Sequence, residues 1–381
     1  MLNDLLATAP LDPRAMTATR ALATPSAHLP ALVQRLREDL PVLLVSSLLL
    51  ALCLGLFATK GIYFSIDGVY QNSRLYLMSF AVVAVIGAVR RLAVDKPLRP
   101  SSHIVRSYFG DSSRFAALAG ALPGLLVLCC FMPFFSALKS AIPLFNAYDW
   151  DRTFIDLERS LLLGHDAWQL LQPVLGHPLI TSALSVFYHL WILLCYPGAV
   201  FMLLAPIDNR LRRRFLLGFV LAWALIGGIM AILLASYGPC FVGPLAGMPD
   251  FDGQMAYLRA ANEQYPVFTL EVQKLLAARF HEADNGLGSG ISAMPSMHIA
   301  MCWLFYLAWR EVNPRLGKAV LAFTVLIWIG SVHLAYHYAL DGVVSVLAMT
   351  LIWNACGALI DWWDRKTADY AVFRTNTVPA E

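Results

Sequence analysis

The chain has 381 residues, of which 59% are hydrophobic and only 14% are charged. Soluble domains carry charge on roughly 25% of their residues, so this composition excludes a disordered chain and most soluble folds. The net charge of +3 is small, and no basic cluster alternates with aromatic residues as nucleic-acid binding would require. We therefore expect a membrane protein with no nucleic-acid partner.

Apolar stretches recur along the chain at lengths close to the roughly 20 residues that cross the hydrocarbon of a bilayer. The pattern predicts an all-α, polytopic helical bundle of about eight spans. These are at 41–59, 75–89, 115–137, 179–205, 215–236, 297–309, 317–336 and 342–361. The second and the sixth of these stretches are the shortest.

Lysine and arginine are distributed unequally between alternate connections. The side that includes both termini holds 20 of them and the other side holds 8. Because cytoplasmic segments carry the excess of positive charge, both termini are predicted to be cytoplasmic. The loops 138–178 and 237–296 are then extracytoplasmic.

A short polar motif introduces the sixth span at Pro295, Ser296 and His298. A proline at a helix start, followed by a polar residue, leaves backbone N–H groups free to bind an anion. His298 is expected in the first helical turn, facing that anion.

A second group of polar residues ends the seventh span, with His333, His337 and Asp341 spaced four apart. They share one face if the helix is continuous. Asp341 could then accept an N–H from His337, which leaves the other ring nitrogen free to attack an electrophile. Since span six begins and span seven ends at the outer surface, His298 and His337 are predicted to meet there.

These two motifs carry a family resemblance. Pro-Ser-x-His at 295–298 and His-x-x-x-Asp at 337–341 resemble the second and third signature motifs of the type 2 phosphatidic acid phosphatase superfamily. The resemblance implies that His337 is the nucleophile, that Asp341 orients it, and that His298 protonates the leaving group. It implies no cofactor and no metal.

The resemblance also implies a domain organisation, because members of that superfamily have a six-helix membrane core. It places the catalytic core at 115–363, including both outer loops. Segment 1–40 is then a cytoplasmic N-terminal segment, 41–114 adds two transmembrane helices and a basic cytoplasmic loop, and 364–381 is a cytoplasmic tail.

Departures from the superfamily pattern bear on the substrate. The Lys-x6-Arg-Pro motif is absent, and Gly330 and Ser331 stand where Ser-Arg is usual. A dianionic phosphate monoester needs several cations, whereas a singly charged phosphodiester can be held with fewer. The loss of basic residues therefore favours a head-group transferase over a phosphatase.

Within the superfamily, the chain is most similar to the inositol phosphorylceramide synthase branch, which also lacks the arginine and has a Pro-Cys segment after an earlier span. The substrate-binding residues predicted on this basis are Ser296, His333, Tyr237, Pro239, Cys240 and Tyr338.

Two other chemical interpretations remain open. His333 and His337 have the spacing of a zinc-binding helix with Asp341 as a third ligand, although the three residues between the histidines include no glutamate to act as a base. His165 and Asp166 in the first outer loop could bind a head group or could form an interfacial turn.

The sequence thus predicts an enzyme that moves a phospho-head group, such as phosphoinositol, from a phospholipid donor to a lipid alcohol such as ceramide or diacylglycerol. The reaction is expected at the outer leaflet, in a bacterial inner membrane. The alternatives are a lipid phosphate phosphatase acting on phosphatidate or polyprenyl phosphates, and a non-enzymatic lipid-binding or transport bundle.

Overall fold

A computed structural model describes residues 25–282 and 290–377. Predictions for residues 1–24 of the N-terminal segment, for 283–289 of the second outer loop and for 378–381 of the tail lie outside the described residues.

The described residues form helices and turns, and no strand occurs among them. The predicted all-α bundle is therefore confirmed. The helices are α1 (Pro25–Lys60), α2 (Ile66–Asp95), α3 (Pro100–Phe109), α4 (Ser112–Ala119), α5 (Leu122–Ser140), α6 (Asp151–Leu161), α7 (Ala167–Leu175), α8 (Pro178–His189), α9 (Ala199–Leu204), α10 (Asn209–Leu221), α11 (Ala231–Leu233), α12 (Pro239–Ala246), α13 (Asp252–Gln264), α14 (Phe268–His281), α15 (Met297–Val312), α16 (Pro314–His333) and α17 (Ala339–Thr377).

Seven helical segments in the described part of the chain are long and apolar enough to cross a membrane. They are Leu29–Lys60, Ile66–Asp95, Arg114–Ser140, Pro178–Leu204, Asn209–Leu233, Pro314–His333 and Ala339–Thr367. The predicted sixth span is the exception, because α15 has 16 residues and is about 24 Å long at 1.5 Å per residue. The expected count of about eight is thus reduced to seven.

The short helix α15 lies at the centre of the bundle and packs mainly against α16 and α17. Its own residues Ala300, Met301, Leu304, Phe305 and Ala308 are fully buried. A helix surrounded by protein does not have to match the thickness of the lipid. Its length is therefore compatible with a membrane core.

The N-terminal helices are joined to the rest of the bundle through buried polar contacts. Pro133 lies inside α5 and has no N–H, so the carbonyl of Cys129 loses its helical donor. Asn72 of α2 donates to that carbonyl at 2.6 Å, and Tyr196 donates to the Asn72 side chain at 3.0 Å. The carbonyl that Pro133 leaves without a helical donor is thus satisfied by a residue of α2.

One end of the bundle is held together by ion pairs between α1, α10 and α17. Arg210 forms a bidentate pair with Asp361 at 2.6 and 2.8 Å. Arg213 pairs with Asp364 at 2.7 Å, and the buried Arg212 pairs with Asp39 of α1. The helices α6, α7 and α12 to α14 lie at the opposite end.

Candidate active site

The first candidate histidine lies at the start of α15. Ser296 is the N-cap of this helix, is fully buried, and accepts a hydrogen bond from the backbone N–H of Ile299 at 3.5 Å. The sequence suggested that Pro295 starts the helix. In the structure Pro295 precedes the cap residue and lies outside the first helical turn. His298 is the second residue of the helix and is half-buried, so its ring lies at the N-terminal end of α15.

The second candidate histidine lies in a turn and not on a helix. Helix α16 ends at His333 and α17 begins at Ala339. Between them Ala335 has a φ of 63°, in the left-handed region, and its carbonyl accepts the Cys240 N–H at 2.8 Å. The condition for a shared helical face, one continuous helix through His333, His337 and Asp341, is therefore not met, because the chain reverses at Ala335.

His337 and Asp341 nevertheless form a close buried pair across this turn. His337 Nδ1 lies 2.9 Å from Asp341 Oδ2, and the same oxygen accepts the Tyr338 N–H at 3.1 Å. His337 is 6% exposed and Asp341 is 0% exposed. A proton on Nδ1 would be shared with the carboxylate, which leaves Nε2 with its lone pair free.

The two candidate histidines, one on α15 and one in the turn before α17, are brought together at one end of the bundle. The ring centroids of His298 and His337 are 6.0 Å apart. The His298 ring is stacked on Tyr188 at 4.7 Å and tilted against Trp191 at 4.2 Å. Sequence reasoning missed these two aromatic residues, which lie in an apolar span without a motif.

The side chain of His333 has different partners from that of His337. Its Nε2 lies 2.9 Å from the Thr181 hydroxyl, and Tyr257 contacts the same hydroxyl at 2.7 Å. The backbone at 332–334 is held by two buried side-chain amides, since Gln254 donates to the carbonyls of 332 and 333 and Gln273 donates to that of 334. These contacts support the turn that carries His337.

The predicted Pro-Cys segment lies beside the same turn. Pro239 begins α12, and both Pro239 and Cys240 line an open cavity of about 210 Å³ that also includes Arg259. Burial raises the pKa of the Cys240 thiol, so this residue is a poor nucleophile. Tyr237 stacks on Tyr148 with ring centroids 4.3 Å apart.

Two buried carboxylates from α6 hold the site in place. Asp151 accepts the backbone N–H groups of Tyr237 and Gly238 at 2.8 and 2.9 Å. Glu158 accepts the Ala339 N–H at 2.6 Å, at the start of α17. Burial raises the pKa of both carboxyl groups, against the opposing effect of these N–H donors.

These two carboxylates were also missed, although the sequence contains a signal for them. Asp151 and Glu158 share the buried face of α6 with Phe154 and Ile155, at the helical spacing i, i+3, i+4 and i+7. An acidic residue on an apolar stripe predicts a buried partner.

Tyr338 has its hydroxyl bound to one of these carboxylates. It donates to Asp151 Oδ1 at 2.7 Å and is 1% exposed. Burial, together with the neighbouring Asp151, raises the pKa of Tyr338, so the phenol keeps the proton that it donates.

Replacing Tyr338 by Phe is expected to lower the free energy of unfolding by about 1–3 kcal/mol, because Asp151 then loses a donor in a buried position. Thermal unfolding of the purified protein in detergent measures this. Tyr237→Phe, which removes a neighbouring hydroxyl and keeps the ring stacking, is the matched control. Equal midpoints for both variants would contradict the assignment.

The loop residues His165 and Asp166 are placed in a turn. Asp166 is the N-cap of α7 and forms a bidentate pair with Arg159 at 2.7 and 3.0 Å. His165 is exposed. Among the residues the structure describes, no group of three or more His, Cys, Asp or Glu side chains could hold a metal ion.

Comparison with known protein families gives a match, and the matched residues include the candidate site. A model of the PAP2 superfamily matches residues 152–355, just over half of the chain, and this range includes His298, His337 and Asp341. Comparisons with curated proteins and with solved structures give no match. The chain therefore belongs to the PAP2 superfamily.

Proposed function

We propose that this protein is an integral membrane lipid phosphotransferase that moves a phospho-head group from a phospholipid donor to a lipid alcohol acceptor. The observation that carries the proposal is the arrangement of two imidazoles 6.0 Å apart, with Asp341 at 2.9 Å from the second. Superfamily membership supports chemistry on lipid phosphates.

In the proposed first step, Nε2 of His337 attacks phosphorus in line. A P–N bond forms while the P–O bond to the departing diacylglycerol breaks, and His298 gives its proton to the leaving oxygen. The Asp341 carboxylate holds the Nδ1–H of His337 and stabilises the positive charge that develops on the ring.

In the second step the acceptor alcohol attacks the phosphohistidine. Its hydroxyl proton passes to His298, a new P–O bond forms, and the P–N bond breaks. Both histidines thereby return to their starting protonation states. The scheme requires a neutral imidazole on His337 and a protonated imidazole on His298.

Two arginines of α6 are already paired with carboxylates, which favours a diester substrate over a monoester. Arg159 is paired with Asp166 and Asp250, and Arg152 is paired with Asp156. A phosphate monoester carries more charge than the two histidines can balance. Phosphatidylinositol as donor and ceramide or diacylglycerol as acceptor, as in the inositol phosphorylceramide synthase branch, fit this requirement.

Different observations support the proposed site residues other than His298, His337 and Asp341. Ser296 caps α15, and Pro239 and Cys240 line the neighbouring cavity. We assign head-group contacts to Pro239, Cys240 and Tyr237. We assign positioning roles to Ser296, His333 and Tyr338, because their polar atoms are already bound to Ile299, Thr181 and Asp151. The catalytic core is proposed to span 115–363, with its site on the extracytoplasmic side of a bacterial inner membrane and both termini in the cytoplasm.

The proposal is tested with purified protein and phospholipids labelled in the head group. With labelled phosphatidylinositol we expect a new labelled lipid that appears when ceramide or diacylglycerol is added, and whose formation survives a chelator. Release of inorganic phosphate from phosphatidate, with no labelled lipid product, would favour the phosphatase alternative. Turnover of none of the lipids offered would contradict both enzymatic assignments.

A further inference from the structure

The connection between α2 and α4 carries a basic helix that the catalytic scheme does not use. None of the ten residues of α3 is buried. The connection 90–114 contains six lysines and arginines but only two aspartates, so most of its positive charge has no counterpart within the connection itself. It also precedes the part of the chain matched by the superfamily, 152–355, and the family pattern assigns it no role.

This connection lies at the end of the bundle opposite the candidate active site. Gly120, directly after α4, is so close to α1 that a Cβ there would lie 2.5 Å from the Arg35 side chain. Arg35 in turn donates to the Asn209 side chain of α10 at 2.8 Å. Both α1 and α10 belong to the end that is held by the ion pair of Arg212. A ligand bound to the connection is therefore separate from the candidate active site.

Helix α3 is fixed against the last turns of α2. The guanidinium carbon of Arg91 lies 4.7 Å from the centroid of the Tyr108 ring, and His103 Nε2 lies 2.8 Å from the Asp95 carboxylate. These contacts orient the helix and leave its apolar residues Val105 and Phe109 exposed. The exposed face is thus held in place by α2 and is not part of the protein core.

An open cavity of about 290 Å³ lies at the start of α3, and Arg99 and Arg106 are among its lining residues. Over the described ranges, neither guanidinium has an ion pair or a hydrogen bond, and the same holds for the ammonium of Lys96. Both aspartates of the connection have other partners, His103 at 2.8 Å and Arg114 at 3.7 Å. Two unpaired guanidinium groups in one cavity form a site for a phosphate group.

The cavity also has an apolar component that distinguishes a lipid from a free anion. Leu98 lines it and is fully exposed. Val105 and Phe109 extend the exposed apolar surface along α3. A helix with cationic and apolar residues on its exposed side is typical of segments that lie at the membrane interface. The end of α2, a membrane-spanning segment, places this helix at that interface.

We propose that this segment binds an anionic phospholipid, with Arg99 and Arg106 on its phosphate and Leu98 among its acyl chains. Clusters of basic residues directly beside a membrane helix bind anionic lipids, and the planar guanidinium matches the phosphate geometry. The inference does not rest on the proposed phosphotransferase function. The lipid is a bound ligand of the added N-terminal helices and is not converted there.

The double variant Arg99→Gln/Arg106→Gln is expected to lose one bound phosphatidylglycerol, whose dissociation constant rises about 20-fold, since each basic residue near an anionic surface contributes roughly 5-fold. Native mass spectrometry of the full chain in detergent, titrated with dioleoylphosphatidylglycerol, measures the number of bound lipids. Dioleoylphosphatidylcholine has the same acyl chains and no net charge, so it should bind the wild type and the variant equally.

The matched control is Arg315→Gln/Lys318→Gln, which removes the same charge from two exposed residues at the same end of the bundle. This control should keep the phosphatidylglycerol that the first variant loses. Equal binding by the wild type and Arg99→Gln/Arg106→Gln would overturn the site. An equal loss in the control would also overturn it, because overall charge and not the cavity would then attract the lipid. Displacement of the lipid by inorganic phosphate at equal concentration would identify a site for a free anion and contradict the lipid assignment.

A measurement on the unmodified protein locates the lipid directly. The wild type is irradiated in nanodiscs with a phosphatidylglycerol that carries a diazirine near its head group, and labelled peptides are identified by mass spectrometry. We expect adducts within 97–109, and few adducts there with the corresponding phosphatidylcholine probe. Equal labelling of this segment by both probes, or its absence with the anionic probe, would contradict the proposal.

Discussion

His337→Ala is expected to abolish head-group transfer, with a loss in kcat of about 10⁴-fold or more, as when other covalent nucleophiles are removed. The reason is that no neighbouring group can replace its Nε2. The ring is held by Asp341 at 2.9 Å, and the other nearby imidazole, His298, serves as the acid. The loss should appear in kcat, since His337 reacts with substrate but is not required to bind it.

The measurement that isolates this role is the covalent intermediate. Wild-type protein incubated with a donor labelled at phosphorus, without acceptor, should acquire an acid-labile label that His337→Ala lacks. His165→Asn is the matched control, because His165 is exposed in the outer loop and should retain both the label and the turnover. An equally labelled His337→Ala protein would exclude His337 as the nucleophile.

The parts of the fold that follow from short-range patterns were predictable. Apolar length alone indicates the membrane helices, with α15 as the exception that is buried by its neighbours. The meeting of His298 and His337 follows from chain direction, because one helix begins and another ends at the same surface. These are properties of each segment, or of their order along the chain.

The break after His333 depends on contacts that are distant in sequence. The residues at 334–338 contain neither glycine nor proline, so nothing local predicts that α16 ends. The left-handed Ala335 is held by the N–H of Cys240, 95 positions earlier, and by the amides of Gln254 and Gln273 beneath the preceding carbonyls. The sequence pattern of four-residue spacing was therefore compatible with a helix that the tertiary structure does not form.

The carboxylates of α6 illustrate a second limit of prediction from the sequence. Asp151 and Glu158 contact backbone N–H groups of 237–238 and 339–340. Backbone donors have no residue signature, so a motif search has nothing to pair with these acids. Their burial was visible in the periodicity of α6, but their partners were not.

His298→Gln is expected to slow transfer from a natural phospholipid by about 10³-fold, within the range for loss of a general acid. Diacylglycerol is a poor leaving group because its alkoxide is strongly basic, so the departing oxygen needs the proton that His298 supplies. The same variant should lose less than about 10-fold with a p-nitrophenyl diester of the same head group, since nitrophenolate departs without protonation.

This dependence on the leaving group distinguishes acid catalysis from a structural role. His298 packs on Tyr188 and Trp191, so a variant that merely disturbed this packing would slow both donors equally. Glutamine keeps a polar side chain of similar length but cannot give up a proton at neutral pH. Equal losses with the lipid and with the nitrophenyl donor would therefore remove His298 from proton transfer. A selective loss with the lipid donor would identify His298 as the source of the proton that the leaving alcohol takes up.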